Sequence, residues 1–243
     1  GAYQRAGRLD EAITLYEETL ADSPRVLGPD HPHTLASRNN LAGAYQRAGR
    51  LDEAITLYEE TLADSPRVLG PDHPHTLASR NNLAGAYQRA GRLDEAITLY
   101  EEVLADRTHI LGPDHPDTLA SRNNLAYAYY SAGRLGEAIP VFEEVLADSL
   151  RVLGDNHPQT LTSRNNLASA YYAAGRLDEA IPLYEQVLAD RVRVLGEDHP
   201  QTLTSRNNLI YTYLLAGRVE KALAYFAQPT DPDDTGTDRA DNR

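Results

Sequence analysis

Residues 1–42 and 43–84 are identical letter for letter, and looser copies of the same phrase run on toward the end of the chain. Ala-Gly-Arg recurs at 48–50, 90–92, 132–134, 174–176 and 216–218, a fixed step of 42. A step of this size is the signature of a repeat architecture, in which each unit buries its apolar face only by stacking on its neighbours. The later copies drift, with LGPDHPD, LGDNHPQ and LGEDHPQ in place of LGPDHPH, as if the array had expanded recently at its N-terminal end. The chain begins partway through the phrase, which predicts a longer native protein with more sequence upstream.

Within one unit the signals are those of two helices. Pro32 suits a first helical turn, where its missing N–H would be unpaired anyway, and Gly49 suits the residue just past a helix end. Leu35, Leu41, Ala42, Tyr45 and Ala48 share one face, which predicts a helix over about 33–48. Asp52 and Glu53 favour the positive end of a second helix. Leu51, Ala54, Ile55, Tyr58, Leu62 and Leu69 supply its stripe, and Gly70 ends it. Pro24 and Pro66 fall late in this second helix, where a missing backbone bond is expected to bend it. Pro140 and Pro182 fall near the start of later copies, a milder place.

The residues N-L-A-x-x-Y-x-x-A-G-R-x-x-E-A-I-x-L-Y-E-x-x-L resemble the tetratricopeptide repeat. The longer period, with L-G-x-D-H-P-x-T-L before S-R-N-N-L-A, is similar to the repeats of kinesin light chains and their bacterial relatives. The resemblance covers residues 1–228, about five repeats with the first and last incomplete. It implies an all-α fold, a right-handed superhelical α-solenoid of stacked antiparallel helix pairs. First helices would line a concave groove and second helices the convex back. Bacterial repeats of this type often follow a STAND-type, NB-ARC-like nucleotide-binding switch module, so a sensor arm of a signalling NTPase is one alternative function. A self-assembling structural array, stacking end to end, is another.

Asparagines at the inner positions of related repeats hold cargo peptides. A helical wheel at about 100° per residue places Ala36, Asn39, Asn40, Gly43, Gln46 and Arg47 opposite the apolar stripe. The asparagine pair recurs as Asn81 and Asn82, Asn123 and Asn124, Asn165 and Asn166, and Asn207 and Asn208. A carboxamide both donates and accepts, so such a ladder can bind peptide backbone whatever the side chains. The amides can equally knit neighbouring repeats together. Around the ladder the face varies. Gln46, Arg47, Gln88 and Arg89 lie at one end, and Tyr127, Tyr130, Tyr172 and Tyr211 at the other. Tyrosine offers large contact area at small entropy cost.

Five arginines, Arg38, Arg80, Arg122, Arg164 and Arg206, stand where the family usually has a large apolar residue. Each is expected to lay its stem on the core and pair with a second-helix carboxylate such as Glu60. Tyr45, Tyr87, Tyr129, Tyr171 and Tyr213 read as core, and Glu59 and Glu60 as a solvated face.

Chemistry of other kinds is poorly supported. Asp30, His31 and His33 invite a metal reading. Asp-His-Pro, however, recurs at the first-helix start of the units, with Asn156 in place of the aspartate in one of them, and there either side chain can cap free N–H groups. The chain has no cysteine, which removes thiol nucleophiles and cysteinyl zinc sites. Its single lysine, Lys221, stands in no phosphate-binding loop, and no catalytic motif is present. A net charge of −13 disfavours nucleic acid and anionic lipid as partners. The expectation is a non-enzymatic, cofactor-free cytoplasmic scaffold for a protein or peptide, followed by a disordered acidic tail over 229–243.

Overall fold

The computed structural model describes residues 8–226. Among them are eleven helices and no strand: α1 Leu9–Leu27, α2 Pro32–Arg47, α3 Leu51–Val68, α4 Pro74–Arg89, α5 Leu93–Leu111, α6 Pro116–Ser131, α7 Leu135–Leu153, α8 Pro158–Ala173, α9 Leu177–Leu195, α10 Pro200–Leu215 and α11 Val219–Phe226. The first-helix prediction of 33–48 is displaced by one residue at each end. The chain is an all-α repeat solenoid. It divides into two compact units, one through Ser163 and one from Arg164, the boundary falling within α8. Both the acidic tail and the half-repeat before Arg8 lie outside the described residues.

Each first helix starts at a proline and is capped by the histidine before it. The Nδ1 of His31 accepts the His33 N–H at 3.1 Å, and His73 accepts that of His75 at 3.1 Å. His115, His157 and His199 do the same for Asp117, Gln159 and Gln201 at 3.2 Å. Such a cap satisfies one orphan donor and is worth about 1 kcal/mol. The buried threonine that follows ties down the incoming loop, since the Thr34 hydroxyl donates to the Gly28 carbonyl at 2.9 Å and Thr76 to Gly70 at 2.8 Å. Gly49, at φ 79°, makes the turn into the second helix. Helices α1 and α3 run on through Pro24 and Pro66.

Packing is built on small residues at the helix crossings. Ala42, Ala54, Ala84 and Ala96 are wholly buried, letting the two helices of a pair approach closely. Ala42 of α2, Ala54, Ile55 and Tyr58 of α3, and Leu83 and Ala86 of α4 form one cluster. The next joins Ala84, Ala96, Ile97, Tyr100, Leu125 and Ala128. Both of these cores are shared by a pair and the following first helix, which couples stability between neighbours. In the second unit Ala168, Ala180, Ile181, Tyr184, Leu209 and Thr212 are buried at the positions equivalent to the first of these clusters.

Four expectations are corrected. Arg38 pairs with Asp64 at 2.7 Å rather than with Glu60, and Arg80 with Asp106 at 2.5 Å. Arg122–Asp148 and Arg164–Asp190, both at 2.7 Å, repeat the pattern. The helices of a pair are antiparallel, so an arginine near the start of the first meets a carboxylate near the end of the second; Glu102 reaches Arg80 only at 3.9 Å. Tyr45, Tyr87 and Tyr129 are half-buried rather than core. Their hydroxyls donate to Glu17, Glu59 and Glu101 at 2.7, 2.6 and 2.7 Å, so Glu59 is a partner and not merely solvated. Arg50, Arg92 and Arg134 lie over the same rings, at 4.2, 4.0 and 4.7 Å from the centroids. Ala48 is exposed because the helix has already ended. No helix among the described residues is long and apolar enough to cross a membrane.

Candidate functional site

Stacking brings the first helices of the first unit edge to edge, and their asparagines meet. Asn82 Nδ2 donates to Asn39 Oδ1 at 3.4 Å, and Asn124 Nδ2 to Asn81 Oδ1 at 3.1 Å. The ladder therefore does knit neighbouring repeats. Each bond uses one of the two N–H groups of the donor and part of the acceptor's oxygen. The remaining donors and lone pairs are held in fixed orientation. Asn40 is exposed, and Asn123 is half-buried. In the second unit Asn165 and Asn166 are half-buried, Asn207 is exposed, and the Asn165 Oδ1 is buried with no donor against it.

Of the glutamines and arginines predicted beside the ladder, Gln46, Gln88 and Arg47 are drawn into local contacts. Gln88 Nε2 donates to the Tyr127 carbonyl at 3.3 Å and to the Ser131 hydroxyl at 2.8 Å, joining α4 to α6. Arg47 bends back so that its Nε donates to the Gly43 carbonyl at 3.0 Å, while its head and that of Arg89 stay exposed. Tyr127 and Tyr130 stack at 5.8 Å, and Tyr127 is 47% exposed. In the second unit Tyr172, Tyr184, Asn208 and Tyr211 line a cavity of about 100 Å³, with Tyr211 62% exposed.

Sequence reasoning missed a layer beneath this face. Tyr58, read as apolar stripe, and its counterpart Tyr100 send their hydroxyls forward under Gly43 and Gly85 toward Gln46 and Gln88, whose Oε1 atoms lie at 3.5 and 3.4 Å. Burial pushes both hydroxyls up to about 12, so at neutral pH they remain protonated donors. The Tyr184 hydroxyl meets the Ser169 hydroxyl at 2.9 Å in the same way. Where the front residue is Tyr127, the rear residue is Phe142, fully buried and without a hydroxyl. A signal was present in the sequence, because positions 15 apart read Gly with Tyr, Gly with Tyr, Tyr with Phe, Ser with Tyr and Tyr with Phe.

The Nδ1 atoms of His31, His73, His115, His157 and His199 are spent as helix caps, and no group of three His, Cys, Asp or Glu side chains converges among the described residues.

The sequence matches the tetratricopeptide-repeat family model over residues 1–67, 39–108 and 78–149, and a second tetratricopeptide-repeat model over 160–201. No curated protein matches it. Among solved structures, a kinesin light chain-type protein of Podosopora anserina with nearly identical TPR-like repeats is 40% identical, over 80% of this chain and 92% of its own, with a TM-score of 0.69. BtubC (BKLC) from P. vanneervenii shares the fold at 23% identity and a TM-score of 0.75, over 97% of this chain and 99% of its own. A Rap protein complexed with Competence and Sporulation Factor shares it at 14% identity and a TM-score of 0.65, over 93% and 70%. Scaffolds of such repeats are generally non-catalytic and mediate protein–protein interaction. The chain belongs to the tetratricopeptide-repeat family, with repeats of the kinesin light chain kind.

Proposed function

We propose that the chain is a non-catalytic scaffold that binds an extended peptide or protein segment along the face of its first helices. The observation that carries this reading is the pair of amide bonds from Asn82 to Asn39 and from Asn124 to Asn81. A loose surface amide pays rotamer entropy when it engages a ligand; an amide already held by its neighbour does not. The residual N–H and C=O groups of this row match what an extended backbone presents on its own edge. Tyr127 and Tyr130 at one end of the row, and Tyr172 and Tyr211 in the second unit, provide exposed aromatic area of the kind that anchors partners.

Panning a random peptide library against the chain and against an Asn82→Ala/Asn124→Ala variant tests the reading. Both proteins are first matched by circular dichroism and thermal unfolding. Enrichment of a peptide by the parent and its loss in the folded variant is the expected result. No enrichment by the parent, together with concentration-dependent growth in light scattering, would favour self-assembly instead.

A further inference from the structure

Four of the five first-helix arginines are closed by the same device. Arg38, Arg80, Arg122 and Arg164 each donate through Nη1 to an aspartate 26 positions later, at 2.7, 2.5, 2.7 and 2.7 Å. Those aspartates, Asp64, Asp106, Asp148 and Asp190, are each the fourteenth residue of their second helix. Arg206 of α10 is the fifth arginine, and its second helix, α11, is described only through Phe226, the eighth residue. Among the described residues the Arg206 Nε is buried without a hydrogen-bond partner, and the one carboxylate in reach, Glu197, is 3.9 Å from Nη2.

The apolar surface beside it is open as well. Leu35 lines a cavity together with Ser65 and Leu69 from the end of α3. Leu35, Leu77, Leu119 and Leu161, three positions before the paired arginines, are at most 7% exposed, whereas Leu203 is 41% exposed. Among the described residues, α10 thus has an unpaired arginine and an uncovered leucine where its counterparts have the end of a second helix.

The sequence supplies a substitute. The fourteenth place counted from Val219 is Pro232, with Asp231 before it and Asp233 and Asp234 after it. Pro229 and Pro232 each remove a helix bond, so the chain is ill suited to reach that place as a helix, and a residue before a proline favours extended backbone. Length is no obstacle. In the earlier second helices the aspartate lies six residues past the eighth, about 9 Å along the axis. The five residues from Phe226 to Asp231 span up to about 17 Å when extended. Arg191, which donates to the Ser205 hydroxyl at 2.6 Å, brings a second positive charge to α10. We propose that the acidic segment 231–234 of this same chain lies back against α10, that one of its aspartates takes the Arg206 guanidinium, and that its backbone covers Leu203.

The chain has no cysteine, so one introduced pair reports the contact. Leu203→Cys/Thr235→Cys is oxidised at low protein concentration, and the products are resolved on a non-reducing gel. The same pair is made in an Asp231→Asn/Asp233→Asn/Asp234→Asn background and in an Arg206→Gln background. The asparagine changes touch neither α10 nor the described part of α11, so they leave the folding of the repeat unchanged. The expected result is an intramolecular disulfide that forms roughly tenfold faster in the parent than in either background, the factor that one hydrogen bond to a charged group supplies. A segment that meets α10 only by chance closes the bond at equal rates in all three. Equal rates, or no bond in any of them, would overturn the proposal. Disulfide-linked dimers in place of the intramolecular bond would give the surface to a second copy and overturn it as well.

Discussion

Two neighbouring repeats of the first unit, α4 with α5 and α6 with α7, hold the same fold and present different faces. Both start at a histidine cap, both cross on buried alanines, and both tie an arginine to an aspartate near the end of the second helix. They differ at the front. Gly85 leaves a space above the Tyr100 hydroxyl, whereas Tyr127 stands out over the bare ring of Phe142. A second difference lies behind. Arg107 reaches forward to the Ser121 hydroxyl at 2.7 Å, where α7 has the buried Ser149 and uses Arg151 to bridge Asp148 and Asp114. What repeats is what holds the stack, and what varies is what the stack shows to a partner.

The sharpest contrast concerns the rear aromatic ring. Phe142→Ala removes a fully buried side chain and is expected to cost about 3–5 kcal/mol, measured by urea unfolding. Tyr100→Phe keeps the ring and gives up only a stretched hydrogen bond, so its cost should stay below about 1 kcal/mol. Equal costs would erase the distinction between ring and hydroxyl.

Exchanging the front residues comes next. Gly85→Tyr pushes a side chain against the Tyr100 hydroxyl and should destabilise by about 1–3 kcal/mol. Adding Tyr100→Phe recreates the Tyr127–Phe142 arrangement and should recover most of that loss. A double-mutant cycle with no coupling would break the pairing rule.

The shared features should respond alike. His73→Ala and His115→Ala each remove a cap and are expected to cost about 1 kcal/mol, in both repeats equally. A marked inequality in thermal unfolding would show that the caps are not interchangeable.

A further effect is alkaline. The folded Tyr100 hydroxyl, pushed up to about 12 by burial, lies above the roughly 10 of an unfolded tyrosine. The folded state then holds its proton longer, so its contribution is complete below about pH 10 and is lost as pH rises toward 12. Stability measured across that window should fall less steeply in Tyr100→Phe, while Phe142 contributes nothing to the slope.

Much of this was legible in the sequence. The 42-residue step, the proline starts, the glycine turns and the alanine-rich stripes located the two helices of the repeat unit to within a residue or two, because each signal is local to one helix. The arginine's partner was misplaced by one turn, since it depends on which end of the second helix an antiparallel neighbour meets. The asparagine pairs were found as a ladder, but their mutual bonds depend on the register between repeats. Tyr58 was assigned to the apolar stripe, and its hydroxyl and that of its counterpart Tyr100 were overlooked. A tip that emerges between two helices, beneath a residue 15 positions earlier, appears only when the crossing is known.

Hydrogen–deuterium exchange on the chain with and without a panned peptide is the most direct test that the first-helix face is the binding surface. Protection concentrated in α2, α4 and α6 is the expected result; protection confined to α3, α5 and α7 would contradict it.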